Sequence, residues 1–95
     1  MPVAVEMNFH GATLDQYDRI LEKMGLTPGG SVPAGAISHW VAETDGGMRV
    51  VDVWETKEAF EQFAQEQIGP YSAEVGIEGE PELRFYHVHN YLTAG

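Results

Sequence analysis

The chain has 95 residues, 43% of them hydrophobic, with no cysteine and 15 Asp/Glu against five Lys/Arg for a net charge of −10. That length makes one domain, residues 1–95, whose small core gains from a partner, and the missing cysteines exclude disulfides and thiolate metal sites. The acidic balance repels phosphate backbones and anionic lipid surfaces, which argues against nucleic acid and membrane partners.

Val3 to Phe9 alternates, with Val3, Val5, Met7 and Phe9 on one face and Ala4, Glu6 and Asn8 on the other, as a strand requires. Gly11 breaks it. Thr13-Leu14-Asp15-Gln16 reads as a capping box, opening a helix that carries Leu14, Tyr17, Ile20, Leu21 and Met24 at helical spacing and stops at Gly25. Leu26 to Gly35 holds two prolines and three glycines, and is expected to be a loop able to cover a pocket.

Ala36 to Ala42 and Met48 to Trp54 are two more expected strands, joined around Thr44-Asp45-Gly46-Gly47, a hairpin signal. Thr56 caps a helix whose Ala59, Phe60, Phe63, Ala64 and Ile68 form an apolar stripe, with Gly69-Pro70 as its expected stop. Tyr71 to Val75 is short enough to be one further helical turn, Gly76 to Pro81 is a turn region, and Glu82 to Tyr91 reads as the last strand. No basic segment precedes an apolar stretch and no apolar run approaches about 18 residues, so neither a signal peptide nor a membrane span is visible, and the expected location is the cytoplasm.

The order strand, helix, two strands, helix, strand is that of an α+β, ferredoxin-like βαββαβ domain with helices on one face of a four-stranded antiparallel sheet. Apolar residues remain for the second face, Val51 and Val53 among them, and Trp40 falls there too. A homodimer that covers this face is the expectation.

The phrase Val53-Trp54-Glu55-Thr56-Lys57-Glu58-Ala59-Phe60, together with length and element order, resembles the antibiotic biosynthesis monooxygenase-type members of the dimeric α+β barrel superfamily. The resemblance implies two sheets paired into a barrel and a small-molecule pocket between sheet and helices in each subunit. Activities it brings into view are cofactor-free oxygenation of polyphenols, haem degradation, polyketide cyclisation and simple binding. Against the quinone-forming oxygenases, the tryptophan is matched by Trp54, while the positions of their strand asparagine and helix tyrosine fall on Val50 and Phe60. Against the haem-degrading branch, the strand asparagine is matched by Asn8, and the other two positions fall on Phe63 and near Ala73.

The residues also suggest a site of their own. If the hairpin pairs Glu43 with Met48, the rungs set His39 opposite Asp52 and Ile37 opposite Trp54 on one face. A carboxylate beside His39 fixes its tautomer and suits it to take a proton from a phenol or an activated carbon, and cofactor-free oxygenation needs a substrate anion. Two roles are open to such a pair: catalytic base with its orienting acid, or a polar pair that sets register. The expected site is therefore His39 and Asp52 as catalytic residues, with Trp54, Tyr71, Phe60 and Ile37 binding a small aromatic or apolar ligand and no cofactor required.

His87 and His89 lie two apart on the expected last strand, about 7 Å from one another, a spacing that suits one divalent metal if a third ligand arrives; pocket or interface lining is the simpler role. Tyr17 and Met24 read as core filling on the first helix, and Met7 and Met48 as pocket lining or gap filling. The functional expectation is a cofactor-independent monooxygenase acting on an aromatic or polyketide-like compound. A ligand-binding dimer without turnover and a polyketide-cyclase-like catalyst are the alternatives.

Overall fold

The computed structural model describes residues 1–94; Gly95, the last residue of the expected domain, lies outside them. Four strands, β1 (Val3–His10), β2 (Ala36–Thr44), β3 (Gly47–Trp54) and β4 (Glu82–His87), form one antiparallel sheet in the order β2-β3-β1-β4. With helices α1 (Leu14–Met24), α2 (Lys57–Phe63) and α3 (Gly69–Glu74), this is the ferredoxin-like α+β arrangement that the element order implied.

Local chemistry sets the element ends. Thr13 Oγ1 accepts from the Gln16 amide at 3.2 Å while the Thr13 amide donates to Gln16 Oε1 at 2.9 Å, so the capping box is closed in both directions. The same Gln16 side chain donates to the Val75 carbonyl at 3.2 Å, tying the start of α1 to the end of α3. Gly25 stops α1 in the left-handed conformation at φ +77°. Thr56 caps α2 by accepting from the Ala59 amide at 3.1 Å.

Gly69-Pro70 does not stop the second helical segment. A π turn, Ala64–Ile68, follows α2, its wider register closed by the Gly69 amide on the Ala64 carbonyl, and α3 starts directly after it. Pro70 thus falls in the first turn of α3, directly after the π turn, the part of a helix that tolerates proline best. The last strand is also shorter than the expected Glu82 to Tyr91. β4 ends at His87, and the Val88 amide donates to the Pro2 carbonyl at 3.2 Å.

Opposed residues in a sheet share a face, so the register assigns the two sides. Val3, Val5, Met7 and Phe9 lie with Met48, Val50, Asp52 and Trp54 on the helix side, and every one of these eight is buried. Phe60, 2% exposed, meets the Trp54 ring edge-on at 5.9 Å and the Phe85 ring at 5.8 Å, which joins α2 to both sheet halves. Side chains of this size contribute about 2–3 kcal/mol each by leaving water. The opposite face carries Trp40, Val51, Val53 and Tyr86, with Trp40 half-exposed. Also on that side, the Arg49 Nε donates to Asn8 Oδ1 and the Asn8 amide to Glu6 Oε2, each at 2.8 Å.

Candidate functional site

Between the helix side of the sheet, α1 and the loop after α1 lies a cavity of about 210 Å³. A single water needs only ~10–15 Å³, so this is a space for a small organic molecule. Its floor is Met7, Met48 and Val50 from the sheet, one wall is Ile20 and Met24 from α1, and residues 26–33 of the loop form the cover. The loop therefore sits where its proline and glycine content allowed it to sit.

The polar groups of the cavity are joined in one line across three elements. β2 and β3 pair with Glu43 opposite Met48, and that register sets His39 opposite Asp52. His39 Nδ1 lies 2.5 Å from Asp52 Oδ1. The Trp54 indole nitrogen donates to the other oxygen, Asp52 Oδ2, at 3.0 Å. On the far side of the imidazole, the Tyr17 hydroxyl lies 2.5 Å from His39 Nε2, and the two rings are parallel within 6° at a centroid separation of 5.9 Å. Tyr17, His39, Asp52 and Trp54 all line the cavity.

The direction of these bonds follows from the groups themselves. A carboxylate only accepts, so Nδ1 carries a hydrogen; in the neutral imidazole Nε2 then presents its lone pair, to which the Tyr17 hydroxyl donates. The Asp52 side chain is 5% exposed and that of His39 30%, which places the acid behind and the base at the cavity. Burial, then the charges of Asp52 and Asp18, push the Tyr17 hydroxyl up to about 12, so it is a neutral phenol at any physiological pH.

Four expected site residues differ in placement. A bulge between Ala36 and Ser38 makes Ile37 the extra residue, so Ala36 stands opposite Trp54 and lines the cavity in its stead. Phe60 is packed behind Trp54 in the core, and Phe63, whose ring lies 5.1 Å from Trp54, reaches the cavity wall. Because the chain stays helical through Gly69-Pro70, Ser72 and not Tyr71 faces the cavity. The Ser72 hydroxyl is buried without a hydrogen-bond partner. His89 lies beyond the end of β4, so the strand geometry that would project it with His87 is lost, and no group of three metal-ligating side chains occurs among the described residues.

Tyr17, expected to fill the core, is a site residue instead. Its signal was present: a tyrosine in a buried stripe needs a partner for its hydroxyl, and a histidine on the facing sheet is one. Asn8, matched above to the haem-degrading branch, lies on the side of the sheet away from the cavity and is held by Glu6 and Arg49.

This architecture is a ferredoxin-like α+β domain with a polar line running into a mostly apolar cavity. No protein-family profile matches the chain, and no curated protein sequence matches it. Solved structures do. Rv0793 from Mycobacterium tuberculosis superposes with a TM-score of 0.66 at 15% identity over 98% of this chain and 100% of that one. A candidate antibiotic biosynthesis monooxygenase from Chloroflexus aurantiacus gives 0.66 at 17% identity with both chains fully covered. A variant of SnoaB, a cofactor-independent oxygenase from Streptomyces nogalater, gives 0.57 at 16% identity over 96% and 94% of the two chains. The chain thus has the antibiotic biosynthesis monooxygenase-type α+β fold.

Proposed function

We propose that the protein is a cofactor-independent monooxygenase that acts on a weakly acidic aromatic or polyketide-like compound, and that it works as a homodimer. The observation that carries this reading is the imidazole of His39, anchored by buried Asp52 and placed at a mostly apolar cavity. His39 is the base: the proton of a phenol or an activated CH₂ moves toward Nε2, and Asp52 stabilises the imidazolium that forms. The resulting anion is able to give an electron to dioxygen. Recombination forms a hydroperoxide, whose loss of water converts CH₂ to C=O, with one O₂ consumed and one H₂O released. Trp54 forms the flat wall on which an aromatic ring stacks, and Ala36 and Phe63 take the lining places expected of Ile37 and Phe60.

The fold likeness to a cofactor-independent oxygenase supports the class of chemistry. The half-exposed Trp40 on the helix-free side of the sheet supports the homodimer. One observation favours a second reading, binding without turnover: Val50 and Phe60 occupy two positions that are polar in the quinone-forming oxygenases. Oxygen uptake separates the two. With hydroxylated naphthalenes and anthracenes and no added cofactor, wild-type protein consumes O₂ in proportion to ketone formed, and His39→Ala does not. Binding of these compounds with no O₂ uptake would establish the second reading.

A further inference from the structure

We infer that Tyr17 is a catalytic residue, the group the ligand meets first, passing the ligand's proton to His39 in a two-proton relay. The inference rests on the reading of His39 as base and adds the path by which the proton arrives. An imidazole with its hydrogen on Nδ1 has a single lone pair, at Nε2, and the Tyr17 hydroxyl already occupies it at 2.5 Å. A bound hydroxyl cannot use that lone pair while Tyr17 is there. The Tyr17 oxygen, in contrast, gives its hydrogen to His39 and keeps acceptor capacity of its own, on a side chain that lines the cavity.

The position of Tyr17 is set by its helix. Tyr17 sits one turn into α1, four residues after the Thr13 cap, and its own amide donates to the Thr13 carbonyl at 3.1 Å. The ring lies parallel to the imidazole, so clearing Nε2 for a ligand means moving a half-buried ring borne on a capped helix.

In the relay the ligand O–H bond breaks as its proton joins the Tyr17 oxygen. The former Tyr17 proton leaves for His39 Nε2 in the same event. The products are a ligand phenolate, a neutral Tyr17 and an imidazolium facing Asp52, so charge and protons balance. Tyr17 begins and ends as a phenol. Its burial and the nearby carboxylates disfavour the tyrosinate, which keeps the proton from stopping halfway. The ligand class that fits is a molecule with an O–H, or an enolisable C–H whose enol presents one, on an aromatic or conjugated body.

The test uses 3-nitrophenol, whose anion absorbs in the visible, bound at about pH 7, where an ordinary imidazole is mostly neutral. Wild-type protein is expected to raise the phenolate fraction of the bound probe about ten-fold over that bound to Tyr17→Phe, which loses only the hydroxyl, with similar probe affinity in both proteins. His39→Ala should lack the phenolate band as well. An undiminished band in Tyr17→Phe would overturn the relay and leave His39 as a base reached directly. A band absent from wild type, or retained in His39→Ala, would overturn the base itself and the relay with it.

Discussion

Asp52 and Trp54 stand two apart on β3, side by side on the helix side of the sheet, and the indole N–H of one closes on the carboxylate of the other at 3.0 Å. The second oxygen of that carboxylate holds His39. One buried acid therefore fixes both the flat wall of the cavity and the tautomer of the base, which ties the integrity of the fold to the chemistry of the site.

Asp52→Asn should damage both. An amide has one accepting oxygen, so its NH₂ faces either the Trp54 N–H, donor against donor, or His39 Nδ1, where it drives the imidazole hydrogen to Nε2 and takes the lone pair from the cavity side. Equilibrium urea unfolding should show a loss of about 1–3 kcal/mol, and any turnover should fall by about 10²-fold or more. Unchanged turnover would detach Asp52 from the mechanism.

Tyr17 makes stability depend on alkaline pH. Its folded value is raised from 10.0 to about 12, so its contribution is fully present below pH 10 and is lost as pH rises through about 12. Unfolding free energies measured across this window should fall more steeply for wild type than for Tyr17→Phe. Equal slopes would mean that Tyr17 ionises as freely in the folded chain as in the unfolded one.

Ser72 should behave in the opposite sense to most buried polar residues. Its hydroxyl has no partner, so Ser72→Ala removes a group that costs free energy to bury, and thermal melting should hold or rise slightly. A loss of about 1 kcal/mol or more would show that the hydroxyl is satisfied in solution.

The proposed dimer has a surface residue to test. Trp40 is 50% exposed and shares its face with Val51, Val53 and Tyr86. Sedimentation at micromolar concentration should give a dimer for wild type and a shift of at least about ten-fold toward monomer for Trp40→Glu, since central aromatic residues carry most of an interface's binding energy. A wild-type monomer throughout that range would remove the dimer from the account.

Much of this arrangement is legible in the sequence because it rests on period-two and capping signals. The alternation of Val3 to Phe9, the Thr13 box, the Thr56 cap and the hairpin at Asp45-Gly46 are local, and they led to the register that pairs His39 with Asp52. What escaped depended on geometry that side-chain type does not encode. The bulge that displaced Ile37 costs one residue and leaves no compositional mark, and the π turn at Ala64–Ile68 changed the helical phase so that Ser72 replaced Tyr71 on the wall. Tyr17 was visible as an amphipathic-stripe residue, but its meeting with His39 spans 22 positions and required the packing of α1 on the sheet.

The most direct test of His39 as the base is ¹⁵N NMR of its ring in free protein and in protein saturated with a phenolic ligand. The free state should show a hydrogen on Nδ1 and an unprotonated Nε2 that accepts from Tyr17, with Nε2 gaining a proton as the ligand ionises. A hydrogen on Nε2 in the free protein, or ring nitrogens that do not respond to a saturating ligand, would contradict it.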